Sequence, residues 1–350
     1  MMGHVPYDNY CLIHLGRGPG GLEHSNSQAC YTSGTFRFPN QKSYLNYMAF
    51  TTHEYFHLYN VKAIRPIELG PFDYDKEVHT PTLWIGEGFT VYYETQLLLR
   101  AGIIDKEYLL TDLSGYIRDT ETTEGHRHMS LRQSSYDIWL NFFNRAANGN
   151  DVRISYYIKG PVMGLLFDIR LRELTQGKKS LDDLMRLLYN RYYLKENRGF
   201  TEEEFWTSAE EIAGAPLPLL RKYVDTTAEI DYDKMLAPAG LRLNKSTWKL
   251  ETITIDGEKD SSYQDNVLWK FQASVINMVR ANDTTHDRSE SWGTWSYAND
   301  DTQILLNFTH TDNDNPNQGS NKYSPLPETY LPKARISTLN IVELHGKKMT

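Results

Sequence analysis

Residues 53–66 read HEYFHLYNVKAIRP and residues 84–94 read WIGEGFTVYYE. These two stretches decide what fold the chain has to make. In the first, His53 and His57 stand at i and i+4, so on a helix both imidazoles leave the same face one turn apart. Glu54 sits beside the first of them. In the second, Glu87 follows His57 by thirty residues and lies between Gly86 and Gly88 in otherwise apolar surroundings. A bare carboxylate there is costly unless it is paired or bound to a cation. The competing reading is a first-turn Glu favoured by the helix dipole. Two histidines and a carboxylate from two helices form the donor set of a catalytic zinc site. Such a site has three protein ligands, one position left to water, and here Glu54 as a general base within reach of that water. HExxH alone arises by chance in roughly a few per hundred chains of this composition, so its pairing with WxxEG carries the reading.

The surroundings read as elements that would support such a site. Residues 5 to about 38 pattern as strands, YCLIHLG and LEHSNSQACYTSGTFRFP, around the Gly-rich turn GRGPGG. Gln41 to Asn60 turns helical, with Leu45, Met48, Phe56 and Tyr59 near one stripe. A Pro- and Gly-containing loop follows. Thr80 as N-cap and Pro81 at the first helical position then signal a second helix that stops at Gly102. The next stretch, to about residue 240, is mostly helical. Ser180 with Asp183 and Thr201 with Glu204 read as capping pairs, and Asn148-Gly149-Asn150 reads as a loop before a helix that begins near Tyr157. Strands first and helices after give an α+β domain over residues 1–240. From 246 to 350 the texture changes: four of the seven Trp fall there, among short alternating runs separated by turn-like pairs. A small all-β meander or barrel is expected, with the boundary near 240–246.

Two further fragments fit the site. Tyr157 in YYIKG could donate its hydroxyl to a developing oxyanion, although packing alone is a common reason for a Tyr at a helix start. Gly21 and Glu23 in GGLEH lie in a strand-like context, where an extended backbone could run beside a substrate and Glu23 could receive its ammonium. Alone, most such GGL segments are turns. Glu94 shares a helix face with Glu87 and is either a partner of a ligand histidine or a surface Glu. His126 and His128 fall in the charged run TETTEGHRHMSLRQ, where a solvated loop is favoured over a second metal site. Asp168 and Arg172, at i and i+4, read as a helix-face ion pair.

Composition narrows the function classes. The 350 residues carry 37 Lys+Arg against 45 Asp+Glu, a net charge of −8, with 40% apolar residues. A mildly acidic chain without a basic stripe is a poor nucleic-acid partner, and no apolar run is long enough to span a bilayer. The two cysteines, Cys11 and Cys30, could pair but are no disulfide framework. The opening MMGHVPYDNY lacks a secretory signal and reads as a gene-fragment boundary, which leaves the compartment open. Oligomeric state is open as well.

HEYFHLYNVKAIRP, LWIGEGFTVYYE and YYIKG, preceded by GGLEHSNS, resemble the glycyl aminopeptidase family of gluzincin metallopeptidases from about residue 5 to 240. The resemblance implies a thermolysin-like catalytic domain holding Zn2+ through His53, His57 and Glu87, with Glu54 as base and Tyr157 at the transition state. Glu23 would match the acidic residue of the exopeptidase strand, and Asn60, Lys62 and Arg65 would shape the site. The implied substrates are peptides with small N-terminal residues, glycine or alanine. It also implies a β-domain ahead of this region and a PDZ domain after it, neither of which is seen in the sequence. Residues 246–350 instead weakly resemble lipocalin-like accessory domains, and the abrupt end at Thr350 suggests an incomplete one. A second reading follows: a non-catalytic fragment or envelope binding module whose β segment takes a small apolar ligand.

Overall fold

The protein is seen in a computed structural model that describes residues 2–3, 5–32, 40–142 and 148–256 and the strands at 265–272, 275–282, 288–298, 303–314 and 337–340. The end of the first expected strand run, at 33–38, and the terminus at Thr350 lie outside the described residues. The chain divides into two compact units, Met1–Asp231 with Asn244–Leu250, and Tyr232–Leu243 with Glu251–Thr350.

The first unit opens with three strands, β1 (Cys11–Arg17), β2 (Gly21–Glu23) and β3 (Ser27–Thr32), in the order β1-β3-β2. β1 runs parallel to β3 and β2 antiparallel to it, with Leu22 opposite Ala29. Among the described residues β2 is therefore an edge strand. Cys11 is exposed, Cys30 is buried, and both are free thiols, so the pairing that their number allowed does not form.

Helix α1 (Gln41–Phe56) starts on a capping box in which Asn40 Oδ1 accepts the Ser43 N–H at 2.9 Å. It ends four residues short of the expected Asn60. Past His57 the chain folds into turns, with Lys62 N–H donating to the His57 carbonyl at 3.0 Å and Ile64 N–H to Tyr59 at 2.7 Å. The second helix also begins later than expected. The Thr80 hydroxyl donates to Glu68 at 3.1 Å and accepts from the Thr82 N–H at 3.4 Å, so it closes a turn ahead of the helix instead of capping it. Trp84–Gly88 is then π-helical and α2 (Phe89–Arg100) continues from it. Gly102, at φ +70°, ends the run where a side chain would be strained.

The remaining α-helices described in this unit are α3 (Lys106–Thr122), α4 (Leu131–Tyr136), α5 (Ile138–Phe142), α6 (Gly149–Val152), α7 (Tyr156–Leu174), α8 (Leu181–Leu188), α9 (Glu202–Ala213) and α10 (Pro218–Asp225). Of the Asn148-Gly149-Asn150 segment expected as a loop, Asn148 precedes α6 and Gly149 and Asn150 open it. The capping pairs read at Ser180 and Thr201 are present: Asp183 accepts the Ser180 N–H at 2.9 Å and Glu204 the Thr201 N–H at 2.8 Å. α7 is buried on nearly every side, which makes it the central helix. Around it Trp84, Phe89, Phe167, Phe205 and Trp206 stack with centroid separations of 5.3–6.3 Å. This cluster fixes the π-helical segment onto α7 and α9. The Asp168–Arg172 pair is present at 3.1 Å, and Asp168 also accepts from the Tyr92 hydroxyl and the Leu181 N–H.

After α10 come α11 (Tyr232–Leu236) and β4 (Leu241–Asn244), which shares a two-stranded sheet with β5 (Lys249–Thr252). Six further strands, β6 (Thr254–Asp256), β7 (Asp265–Gln272), β8 (Val275–Asn282), β9 (Arg288–Ala298), β10 (Gln303–Asp314) and β11 (Ser337–Asn340), pair in chain order as an antiparallel meander. Among the described residues no pairing joins β6 to β11. The whole is a helix-rich α+β protein with small sheets. No helix among the described residues is long and apolar enough to cross a membrane.

Candidate metal centre

The last turn of α1, which carries His53, and its C-cap residue His57 meet the π-helical segment that carries Glu87. His53 Nε2 and His57 Nε2 face each other at 3.0 Å, and Glu87 Oε2 lies 3.4 and 3.3 Å from them. One ligand atom from each of the three residues falls within 4.8 Å of the other two. Both imidazoles are buried, at 8% and 3% exposure. Their other nitrogens are engaged outward: His57 Nδ1 with the Asn60 carbonyl at 2.8 Å and His53 Nδ1 with Glu94 Oε2 at 3.0 Å. A carbonyl can only accept, so His57 carries its proton on Nδ1 and presents the Nε2 lone pair inward. Glu94, which the sequence left between two roles, thus lies against a histidine of the cluster.

Three lone-pair atoms converging in a dry place repel unless a proton or a cation sits among them. Glu87 Oε2 is buried without a hydrogen-bond donor. Burial pulls the His53 imidazole down, but the Glu87 and Glu94 carboxylates beside it outweigh this and push it up to about 10. His57 is raised as well, against burial, by Glu87. Burial would raise Glu87, yet His57 and His53 hold it well below the usual carboxylate range. The cluster therefore draws positive charge to one point, and two imidazoles with a carboxylate fit a borderline divalent cation such as zinc.

Glu54, 5% exposed, lies beside this point, and burial raises its carboxyl while His53 and His57 oppose the rise. β2 passes directly over it. A Cβ added at Gly21 would overlap the Glu54 carboxylate, so only glycine lets the strand come this close. Glu23, two residues along and on the same strand face, pairs with Lys62 Nζ at 2.8 Å. Tyr157 enters from the first turn of α7, with its ring 6.5 Å from that of His53. Burial of its hydroxyl and the neighbouring Glu87 charge raise its pKa.

Asn60 is named among the residues that shape the site by the resemblance alone. Asn60 is fully buried, and its amide donates to the carbonyls of Ile85 and Gly86 at 2.9 and 3.0 Å and to Thr90 Oγ1 at 3.0 Å. It ties the histidine helix to the glutamate helix. Nothing local in the sequence marks that role beyond the Asn itself. His126, expected in a solvated loop, is buried at 3% exposure, whereas His128 is exposed beside Glu124. The charged neighbours of His126 point away, because Gly125 packs against the backbone of Arg153 and draws the segment inward.

A family model of the M61 glycyl aminopeptidases matches residues 46–163, the span that holds His53, Glu54, His57, Glu87 and Tyr157. No curated protein matches the chain significantly. Among solved structures the chain is similar to the crystal structure of an aminopeptidase N family protein from Idiomarina loihiensis, with a TM-score of 0.64 and 20% identity. The match covers 83% of this chain but 57% of that one, so the chain spans little more than half the length of that structure. At this identity the likeness is one of fold: the helix-rich α+β architecture is an aminopeptidase-like one.

Proposed function

We propose that the chain is a zinc-dependent aminopeptidase that removes small N-terminal residues, glycine or alanine, from peptides. The observation that carries the reading is the convergence of His53 Nε2, His57 Nε2 and Glu87 Oε2 beside a buried Glu54. Zinc held by those three residues would supply a Lewis acid that polarises a peptide carbonyl and brings the pKa of water towards ~7. The chain's own groups do the rest. Glu54 accepts a proton from the attacking water and returns it to the leaving amine as the C–N bond breaks; its raised pKa suits both halves of that task. The Tyr157 hydroxyl donates to the oxyanion. The substrate backbone lies along the open edge of β2, where Gly21 leaves room beside Glu54, and Glu23 receives the free ammonium. The same proposal takes the helical unit as a thermolysin-like catalytic core and the antiparallel meander as a lipocalin-like accessory module.

Metal analysis with an active-site variant tests this. The purified protein should hold about one equivalent of zinc. Glu54→Gln should keep the metal and lose roughly 10²–10⁴-fold in turnover of glycyl and alanyl amides. Protein without zinc, or a Glu54→Gln variant of full activity, ends the reading.

A further inference from the structure

Glu23 is not waiting empty-handed for a substrate. The Lys62 ammonium already sits 2.8 Å from its Oε1, with side-chain exposures of 35% and 18% for Lys62 and Glu23. Lys62 arrives there by a constrained route. Val61, the residue before it, adopts φ +144°, a region that a β-branched side chain rarely enters and that persists only where the surroundings over-determine it. Two contacts do so. The Lys62 N–H donates to the His57 carbonyl at 3.0 Å, and the Val61 side chain fills the space over Gly86, where an added Cβ would meet Val61 Cγ2 at 2.9 Å. The turn that sets His57 and the approach to Glu87 thus also aims a lysine at Glu23.

An ε-ammonium and a peptide's N-terminal ammonium are chemically equivalent partners for one carboxylate. We propose that Lys62 is a specificity-determining residue that occupies Glu23 in the resting protein and must be displaced by the substrate's amino terminus. The proposal rests on the reading of Glu23 as the amine anchor. The flexible four-carbon stem of Lys62, already one-third exposed, can swing to solvent, so the competition is reversible. Apparent affinity for a free amine is then lowered by the fraction of Glu23 that Lys62 holds. A partly exposed ion pair is weak, which makes the factor about two to five.

Two experiments test it. Lys62→Met should lower KM for glycyl p-nitroanilide about two- to five-fold without moving kcat, and should leave KM for the N-acetylated counterpart where it was. Lys62→Gln should do the same, and Lys62→Arg should restore the original value. KM that rises or stays constant for the free amine, or that shifts equally for both substrates, overturns the proposal. The second experiment does not depend on turnover: acetylation of Lys62 by an amine-reactive ester, read by mass spectrometry. Glycinamide should increase labelling of Lys62, N-acetylglycinamide should not, and Glu23→Gln should increase it with no ligand present. Labelling indifferent to glycinamide overturns the proposal. Unchanged discrimination between free and acetylated substrates in Glu23→Gln overturns instead the underlying reading of Glu23.

Discussion

Gly88 and Gly160 meet backbone to backbone: a Cβ on Gly88 would lie 2.5 Å from Gly160 Cα, and one on Gly160 would lie 2.6 Å from Gly88 Cα. This crossing sets the π-helical segment that carries Glu87 against the first turns of α7, which carry Tyr157. Neither residue can reach the other's neighbourhood unless both crossing positions lack side chains. Gly160→Ala is therefore expected to destabilise the protein by roughly 1–3 kcal/mol, the usual cost of forcing a methyl into a filled contact. The expected drop in melting temperature is several degrees, and thermal unfolding measures it. Turnover should fall further than zinc content, because Tyr157 moves relative to Glu87.

Glu94 approaches His53 from the side away from Glu87. Its carboxylate holds the imidazole through Nδ1 and keeps the Nε2 lone pair facing the cluster. Glu94→Ala should lower zinc affinity about 10- to 100-fold. Competition with a chelator gives the number, and unchanged affinity would mean that packing alone orients His53.

The legible parts of the molecule are those whose cause is local. The i, i+4 spacing of His53 and His57, the capping pairs at Ser180 and Thr201, and the stop at Gly102 each follow from contacts within a few residues. What stayed hidden depends on partners far along the chain. The end of α1 at Phe56 is set by turns in which Asn60 holds the carbonyls of Ile85 and Gly86, and no pattern in residues 41–60 contains that information. The late start of the second helix follows from Thr80 bonding Glu68. His126 looked solvated because its sequence neighbours are charged, yet the packing of Gly125 on Arg153 buries it.

Gly21 lies against Glu54, the residue proposed as general base. Gly21→Ala adds a methyl that overlaps the Glu54 carboxylate, and one of the two must shift. A displacement of about 1 Å at a reacting group costs on the order of 10² in rate. The variant is expected to lose about that factor in kcat while keeping its zinc, since β2 supplies no ligand. Steady-state kinetics with metal analysis on the same sample checks both halves. Loss of the metal would mean that the strand supports the histidine helix itself.

Lys159 is 1% exposed, and its Nζ has no hydrogen-bond partner among the described residues. Burial pulls its pKa down to about 8, against the attraction of Glu121. In the unfolded chain the value returns to the ordinary ~10.4. Between those two values the unfolded state binds more protons, so stability rises with pH through that window. Below about pH 8 the folded protein carries the full penalty of a buried ammonium. Lys159→Met replaces that charge with an apolar chain of similar length. It should therefore melt a few degrees higher at pH 7, given about 2–4 °C per kcal/mol for a protein of this size. The advantage should shrink as the pH climbs from about 8 to beyond 10.5, and melting curves across that range test it. A variant that melts lower at pH 7 would mean that the ammonium is held by the groups around it, Glu121 and His126, and that this charged cluster stabilises the start of α7.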